Sequence, residues 1–479
     1  MINIDSYNIL DNESIKWIIL VLFLCISLQT EAATKKPNVV LIMTDNLGYG
    51  DLGVYGGARA ETPRIDQLAQ TGVMFRDFQV EPACSPSRAA VMTGRMAVRS
   101  GTDAVIEPGA KGGLHPKEIT LAEMLKDVGY KTSLYGKWHL GFHPERQPQM
   151  QGFDDFWGIL FTTAPGNPQD SNFQAIGVHT QKIVAAKGGE KVKAVGELTI
   201  QYRGLIDSRI TDMSVSYIKD NASDDKPFFL FTSFTNPHNP LVAHPDFRGK
   251  SGGGAYSDVL MEIDHNTGRI LDALEEKNIL EDTIVIWMSD NGPQKVALEP
   301  YHNGDAGPWT GELGSVFEGS LRTAGMISWP GKISPFVSNE LFHSMDFFAT
   351  LAEWAGASIP KDRPIDSINQ ADYLLDSSKG SKRDYVMVYY NGEFAAMRYL
   401  HFKLMRAVYS RKASLMSESM YLKSLPLIYN LKADPKEEFN ISGGLESLTR
   451  SLVLKEVGLR QKYQKSFAEF PNNDYSFAN

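Results

Sequence analysis

Residues 37–45 read PNVVLIMTD, a short run of β-branched and other apolar side chains that ends in an acid. A run without alternating polar residues is typical of a strand that is buried on both faces of a sheet. The next segment, ETPRIDQLAQTG (61–72), predicts a helix with Thr62 as its N-cap, Pro63 at its first position and Gly72 as its stop. Together they predict the strand, loop and helix unit of an α/β fold.

The same alternation recurs further along the chain. The segments that carry it are TLAEMLKDVGY, KTSLYGKWH, KPFFLFTSFTNPH, DVLMEIDHNTGRILDALEEKNI and DTIVIWMSDNG. We expect a catalytic domain over residues 36–365 in which helices sandwich a large, mostly parallel or mixed sheet. A C-terminal subdomain over residues 366–479 should add a small antiparallel sheet and a terminal helix. Its predicted elements are DYVMVYY, FAAMRYLHFKLMRAVY, LPLIYNL and SLVLKEVGLRQKYQKSFAEF.

The N-terminus resembles a secretory signal. A lysine precedes an apolar run over residues 17–26, and small and polar residues follow it, so we expect cleavage near Ala32 or Ala33 and a signal peptide over residues 1–32. The run is short for a membrane span, and a signal anchor is the alternative. The expected product is an exported protein, periplasmic or secreted, without a stable membrane span.

Charge and cysteine content exclude several classes of protein. Four acids and one lysine in the first 32 residues contribute −3 of the net charge of −9, which leaves −6 on the remaining chain. This balance argues against non-specific nucleic-acid binding, which requires a basic field. Of the two cysteines, Cys25 lies in the signal segment, so Cys84 alone remains and no internal disulfide can form.

Polar side chains follow four of the predicted strands. In chain order they are Asp45 and Asn46, Lys137 and His139, His238, and Asp290 and Asn291. Ligands of open α/β sheets bind beyond the carboxyl ends of the strands, so these side chains should converge on one rim. Scattered loop residues are the alternative interpretation.

Two of these groups have the composition of a metal site. Asp45, Asn46, Asp290 and Asn291 offer oxygen donors only, which suits a hard divalent cation, with Ca²⁺ preferred over Mg²⁺. Either pair alone would be interpreted as a turn or a helix cap, because Asp and Asn are favoured there. Two pairs on one predicted rim favour the metal.

Cys84 stands at the start of a predicted helix. CSPSRAAVMTG (84–94) can form a helix with Pro86 in its first turn, which places Cys84 at the helix N-terminus. Unpaired backbone N–H groups and the helix dipole favour an anion there, and Arg88 adds a fixed positive charge. The segment suits the binding of sulfate or phosphate beside residue 84, although a lone cysteine is more often an inert buried thiol.

These motifs resemble those of the type I sulfatases. CSPSR followed by TGR is similar to the family signature C-x-P-x-R, and further blocks stand in the family's order over nearly the whole chain after the signal. They are PNVVLIMTDNLGYGD, TPRIDQLAQTGVMF, GYKTSLYGKWHLG, PFFLFTSFTNPHNP, IVIWMSDNG, FEGSLRTAGMISWPG and LIYNLKADPKEEFN. The resemblance implies an alkaline-phosphatase-like fold and an arylsulfatase-type hydrolase of aryl or carbohydrate sulfates.

The resemblance also implies a modified nucleophile. In the family, the cysteine of the signature is oxidised to formylglycine by a formylglycine-generating or anaerobic sulfatase-maturating enzyme. The hydrated aldehyde carries two hydroxyls, of which one attacks sulfur and the other later expels sulfate. By the same resemblance, Cys84 becomes the nucleophile and Arg88 stabilises its charged form.

The remaining site residues receive their roles from the same resemblance. Lys137 would hold sulfate oxygens, His139 would act as the base that restores the aldehyde, and His238 would bind substrate and protonate the departing alcohol. Calcium would be bound by Asp45, Asn46, Asp290 and Asn291, together with an oxygen of modified residue 84.

The chain departs from the family pattern at two positions. Asn46 stands where many sulfatases have a second aspartate, and the lost negative charge predicts weaker calcium binding. Leu313 stands where many members have a lysine that holds the substrate sulfate, and Lys295 is a candidate substitute. The alternatives to a sulfatase are a formylglycine-dependent phosphonate monoester or phosphodiester hydrolase and, less favoured, an inactive binder of sulfated glycans.

Overall fold

The computed structural model describes residues 35–107, 110–163, 181–294, 304–408, 420–421, 425–444 and 446–469, so the predicted signal peptide lies outside the described residues. Its strands are β1 (Asn38–Thr44), β2 (Val73–Phe75), β3 (Phe78–Gln79), β4 (Lys131–Lys137), β5 (Asp155–Ile159), β6 (Lys182–Lys187), β7 (Lys193–Glu197), β8 (Phe228–Ser233), β9 (Thr283–Ser289), β10 (Gly325–Ser328), β11 (Phe336–Ser338), β12 (Phe342–His343), β13 (Tyr385–Tyr390), β14 (Glu393–Tyr399), β15 (Phe402–Met405), β16 (Ala407–Val408), β17 (Met420–Tyr421) and β18 (Leu427–Asn430). Its α-helices are α1 (Pro63–Gln70), α2 (Cys84–Thr93), α3 (Ala97–Ser100), α4 (Leu121–Asp127), α5 (Ile200–Arg203), α6 (Ile206–Asn221), α7 (Ala255–Glu276), α8 (Glu318–Leu321), α9 (Asp346–Ala355), α10 (Ala371–Leu375) and α11 (Glu446–Glu469).

A sheet of ten strands forms the centre of the molecule, in the order β11-β2-β10-β9-β1-β8-β4-β5-β6-β7. The five strands from β9 to β5 are parallel to one another, whereas β10, β6 and β7 introduce antiparallel pairs. The predicted mostly parallel or mixed α/β sheet is therefore confirmed. Because the central strands are parallel, their carboxyl ends all reach the same rim of the sheet.

The side chains of β1 explain why helices cover both faces of this sheet. Val39 and Leu41 enter one apolar core together with residues of α2, α4 and α9. Val40 and Ile42 enter a second core with residues of α1, α6 and α7. Side chains alternate along a strand, so a continuous apolar run supplies both cores at once. Helix α1 begins at Pro63 with Thr62 as its N-cap, as the sequence predicts.

A second sheet near the C-terminus has four antiparallel strands in the order β13-β14-β15-β18. FAAMRYLHFKLMRAVY contributes three strands of its own, and β14 and β15 turn at Leu400, whose φ is 51°. The small antiparallel sheet and the terminal helix α11 are thus confirmed. Residues from Pro37 onward form one compact unit, and the boundary at residue 365 stays a prediction. None of the described helices is both long and apolar enough to cross a bilayer.

Between the two sheets lies a group of buried charges that we name the junction cluster. It consists of Asp77, Glu318, Arg322, Arg398, Lys403 and Glu437. Glu318 contacts three cations, at 2.7 Å from Arg322, 2.9 Å from Arg398 and 3.1 Å from Lys403. These cations hold the pKa of Glu318 well below its usual range in spite of burial. The cluster thus ties the large sheet to β14 and β15 of the small sheet.

Candidate active site

The two Asp-Asn pairs lie side by side at the carboxyl ends of β1 and β9. All four residues are buried, and the Asn291 amide nitrogen donates to Asn46 Oδ1 at 2.8 Å. The backbone N–H of Asn46 donates to Asp290 Oδ1 at 3.1 Å. Asn46 has a φ of 67°, a left-handed conformation that asparagine tolerates better than most residues. The parallel strands therefore bring together the four oxygen donors that the sequence predicts at one rim.

This arrangement fits a cation. Among the described residues, Asp45 Oδ1 and Asn291 Oδ1 are buried and accept no hydrogen bond. Burial and then the Asp45 carboxylate raise the pKa of Asp290, although Arg88 and Lys137 oppose the shift. Oxygens of Asp45 and Asp290 and the sulfur of Cys84 all lie within 4.8 Å of one another. Buried acceptors without donors, on carboxylates that repel each other, are what a divalent cation would stabilise.

Cys84 is the first residue of α2, with Pro86 in the first turn as the sequence predicts. Its side chain is 4% exposed. Burial raises the pKa of the thiol to about 11; Lys137 opposes this shift, whereas Asp45 and Asp290 add to it. A cysteine that reacts as a thiolate instead has a lowered pKa, so this position does not suit thiolate chemistry at neutral pH.

Two buried cations bind the two carboxylates of the site. Arg88 donates to Asp290 Oδ2 through Nε at 3.0 Å and Nη2 at 2.8 Å. Lys137, the last residue of β4, donates to Asp45 Oδ2 at 2.6 Å. Charge-assisted bonds of this kind are stronger than neutral ones, and they orient the carboxylates towards Cys84.

The strand that presents Lys137 depends on a glycine. Gly136 has a φ of 119°, and a Cβ at this position would lie 1.8 Å from the carbonyl oxygen of Ser233 on β8. Arg88 Nη1 donates both to Ser233 Oγ at 2.7 Å and to the Lys137 carbonyl oxygen at 3.0 Å. Glycine thus allows β4 and β8 to approach closely enough for one guanidinium to bridge them.

His139 follows β4 in the left-handed region, with a φ of 60°. It is buried, and burial followed by Lys137 and Arg88 lowers its pKa well below the usual value. Its imidazole is therefore neutral at pH 7 and can accept a proton. The carbonyl oxygen of His139 accepts a bond from Ser85 Oγ at 2.9 Å, which ties this loop to the first turn of α2.

His238 lies in the loop that follows β8. Burial, followed by Lys137, lowers its pKa to about 3, so the ring is neutral at pH 7. The ring Nδ1 contacts the Asn239 carbonyl oxygen at 2.7 Å and therefore carries the proton, since a carbonyl can only accept. Nε2 then accepts from Thr162 Oγ1 at 2.8 Å.

Two buried charged side chains that the sequence analysis missed, Arg203 and Asp207, support the His238 loop. Arg203 donates to the His238 carbonyl oxygen at 2.9 Å and to Asn236 Oδ1 at 2.5 Å. Asp207 accepts from the backbone N–H groups of Thr235 and Asn236, both at 2.9 Å. Arg203 ends the short helix α5 and Asp207 lies in the first turn of α6, with no motif around either, so no local signal marks them.

In this chain the side chain at position 313, where many sulfatases have a lysine, is apolar and buried. Leu313 is 4% exposed and packs with Ala83 and Phe317 in an apolar core between the two sheets. Its backbone N–H donates to the Pro293 carbonyl oxygen at 3.0 Å, close to the second Asp-Asn pair. Val388 and Tyr390 of β13 lie in the same apolar core, which joins the small sheet to the Leu313 segment. Lys295 lies outside the described residues.

Comparison with known proteins agrees with the geometry. The family model described as Sulfatase matches residues 37–357. Human arylsulfatase A is 35% identical over 454 residues, covering 89% of this chain and 88% of that protein. N-acetylgalactosamine-6-sulfatase of Canis lupus familiaris is 33% identical over 396 residues, covering 79% of this chain and 73% of that protein.

A solved structure extends the similarity to the whole fold. The crystal structure of the PsFucS1 sulfatase from Pseudoalteromonas sp. matches with a TM-score of 0.84 at 30% identity, covering 97% of this chain and 96% of that one. These matches favour sulfate-ester hydrolysis over the phosphonate or phosphodiester alternative and over a glycan binder without activity. The chain belongs to the sulfatase family, and it is a sulfuric ester hydrolase.

Proposed function

We propose that this chain hydrolyses sulfate esters of carbohydrates or phenols at Cys84, after conversion of that residue to formylglycine by a maturation enzyme. The observation that carries this proposal is the setting of Cys84. The side chain lies at a helix N-terminus between two carboxylates, with Arg88 and Lys137 beside it, and burial raises the pKa of its thiol to about 11. A thiol in this setting is a poor nucleophile, whereas a hydrated aldehyde supplies a neutral hydroxyl.

We propose Ca²⁺ as the metal of the site, with Mg²⁺ as the second choice. Asp45, Asn46, Asp290, Asn291 and residue 84 would hold it, and only hard oxygen donors remain once the thiol has been replaced. When bound, such an ion polarises sulfate oxygens and offsets negative charge. The free acceptors Asp45 Oδ1 and Asn291 Oδ1 support this assignment.

The cations of the site have separate tasks. Arg88 holds Asp290 through two bonds and stabilises negative charge on residue 84. Lys137 binds Asp45 through one ammonium, which has three donors, so it can bind a sulfate oxygen without leaving the carboxylate. Together they hold the sulfate beside residue 84.

The two histidines move protons in this proposal. Burial and its cationic neighbours lower the pKa of His139, so its ring is neutral and has a nitrogen free to take the proton from the hydroxyl of residue 84 when sulfate is released. The negative charge of the bound sulfate raises the pKa of this base from its lowered value. His238 presents an unprotonated Nε2 that bonds Thr162. An anionic sulfate raises the pKa of a neighbouring histidine, so His238 takes up a proton when substrate binds and donates it to the departing alcohol.

The substrate class and the location of the enzyme extend this proposal. A relative is named N-acetylgalactosamine-6-sulfatase, which supports a carbohydrate sulfate as the natural substrate. The signal-like segment over residues 1–32 supports an exported enzyme, periplasmic or secreted, with a catalytic domain over residues 36–365 and a subdomain over residues 366–479.

Mass spectrometry of the peptide that contains residue 84 tests the proposal directly. Protein from a host with a maturation enzyme should carry an aldehyde or its hydrate at this position, and it should release sulfate from an aryl sulfate. Co-expression with and without a formylglycine-generating enzyme is the matched control. Turnover by protein whose residue 84 is entirely unmodified thiol would contradict the proposed nucleophile.

A further inference from the structure

A second pocket lies on the same rim as the active site. It is an open groove of about 690 Å³ between the large sheet and the small sheet. Arg76, Trp309 and Arg322 line it from the large sheet and the loop beside it, and Arg398 and Lys432 line it from the small sheet and the loop after β18. None of these residues belongs to the site around Cys84.

The strand order places this groove close to the catalytic rim. Strand β10 runs antiparallel to both β9 and β2, so β2 and β9 point the same way. Arg76 directly follows β2 and Asp290 directly follows β9, and both therefore lie at the same rim. With β10 between them, the two strands are about 10 Å apart in the sheet.

One loop connects the two sites physically. Pro308 and Trp309 line the groove, and four residues later the backbone N–H of Leu313 donates to Pro293 beside the second Asp-Asn pair. Four residues of extended chain span at most about 14 Å. The groove and the active site are therefore within reach of a single oligosaccharide.

The free charges in the groove favour an anion. Arg322 and Arg398 are already bound in the junction cluster to Asp77 and Glu318. By contrast, Arg76 and Lys432 are exposed, and neither has an ion-pair partner within the described part of the chain. Glu340 is the one acid lining the groove that no described cation neutralises. Arg76 follows β2 of the large sheet and Lys432 follows β18 of the small sheet, and both line the same groove.

The groove also offers an aromatic surface. Trp309 is partly exposed, and the Arg322 guanidinium lies 4.0 Å from the centre of its ring. The ring also meets Tyr49 edge-on, with the centroids 5.9 Å apart. An indole that contacts both a cation and a second ring is held in place, and its exposed part gives a sugar an apolar surface at little entropic cost.

We propose that this groove binds a second anionic group, a sulfate or a carboxylate, of an oligosaccharide whose scissile sulfate lies beside Cys84. This inference rests on the proposed function and narrows it: the substrate is a saccharide with at least two anionic groups, not an isolated aryl or monosaccharide sulfate. Arg76 and Lys432 bind the distant anion, and Trp309 packs against a sugar ring between the two sites.

The test is the double variant Arg76→Ala/Lys432→Ala. The matched control, Lys193→Ala/Arg450→Ala, removes one exposed lysine and one exposed arginine that have no ion pair among the described residues. The probes are an aryl sulfate, inorganic sulfate, and tetrasaccharides from chondroitin 6-sulfate, heparin and carrageenan. We expect kcat/KM for a hydrolysed tetrasaccharide to fall about three- to thirtyfold, with aryl sulfate turnover unchanged.

Binding measurements separate this inference from the proposed function. Calorimetry in a Cys84→Ala background reads tetrasaccharide affinity without turnover, so the groove is tested even if sulfate-ester hydrolysis fails. The double variant should weaken the affinity for at least one tetrasaccharide by the same factor, and less so at high salt. Unchanged affinity for every tetrasaccharide, an equal loss with inorganic sulfate, or an equal loss in the control variant would overturn the proposal.

Discussion

The catalytic cluster (Asp45, Arg88, Lys137 and Asp290) and the junction cluster are both buried groups of balanced charge, but they differ in how their acceptors are used. In the junction cluster, Glu318 contacts three cations. In the catalytic cluster, Asp45 Oδ1 accepts no hydrogen bond from any described residue. In the junction cluster even Arg322 Nη2 and Glu437 Oε1, which have no hydrogen bond among the described residues, lie within 3.0 Å of an opposite charge. Charges paired in this way stabilise a contact between two sheets, whereas an acceptor without a partner leaves free energy for a cation and a substrate.

The largest expected effect is that of Cys84→Ala, beside the catalytic cluster. Turnover of an aryl sulfate should fall at least about 10⁴-fold, because the variant lacks the side chain that we propose as the precursor of the nucleophile. The free energy of unfolding should fall by about 1 kcal/mol, since only a small buried group is lost. Steady-state kinetics and thermal unfolding measure the two. The control Thr93→Ala, at the other end of the same helix, should keep most of the turnover.

Glu318→Gln tests the opposite behaviour in the junction cluster. The amide leaves three buried cations with less negative charge, so the free energy of unfolding should fall by about 3–5 kcal/mol. Turnover per folded molecule should change little, because Glu318 contacts none of the catalytic residues. Urea unfolding measures the loss, and Glu393→Gln on an exposed position of β14 should stay within about 0.5 kcal/mol. Equal stability of both variants would remove the contrast between the clusters.

Removal of calcium should affect the catalytic cluster alone. EGTA should lower the Tm and abolish turnover. Calcium at a hundred times its Kd should restore about 2.7 kcal/mol of unfolding free energy. In Glu318→Gln, calcium should raise the free energy of unfolding by the same amount as in the unsubstituted protein. In Asp45→Asn most of that gain should be lost, because the acceptor Asp45 Oδ1 then belongs to a neutral amide. An unchanged increment in Asp45→Asn, measured by thermal unfolding, would show that calcium binds elsewhere.

Asn46→Asp should sharpen the metal assignment with a smaller effect. A third carboxylate beside Asp45 and Asp290 should tighten calcium binding about tenfold, because affinity follows the charge of the ligands. The substitution also removes the hydrogen bond that Asn46 Nδ2 donates to Gln294 Oε1 at 3.1 Å. Calcium titration calorimetry gives the answer, and equal affinity in the two proteins would contradict a role of Asn46 as a ligand.

The smallest expected effect is a pH dependence in the junction cluster. Burial raises the pKa of Glu437 to about 7, with Lys403 opposing the shift and Glu318 adding to it. The folded protein therefore binds this proton more tightly than the unfolded chain, and stability is lost as the pH rises from about 4.5 through 7. Glu437→Gln should flatten that part of the profile of unfolding free energy against pH. If Glu437→Gln leaves the slope of unfolding free energy against pH unchanged, that slope arises from other titratable groups.

Local sequence was sufficient for the residues that lie in short motifs or directly after apolar strands. Cys84, Pro86 and Arg88 stand within five residues, and the strand ends at Asp45 and Asp290 follow from apolar runs that bury both faces of the sheet. Arg203, Asp207 and Ser233 carried no such signal. Their roles depend on partners far along the chain or on a neighbouring strand, for example Ser233 and the Arg88 guanidinium.

By itself the sequence determined the α/β class, the helix that begins at Cys84 and the two pairs of oxygen-bearing side chains that follow β1 and β9, because each depends on side-chain chemistry within a few neighbouring residues. Only the tertiary structure decided which donors stay free, how Leu313 packs between two sheets, and that Arg76 and Lys432 face one groove. Those properties depend on strand order and on burial, which arise when distant segments pack together and exclude water.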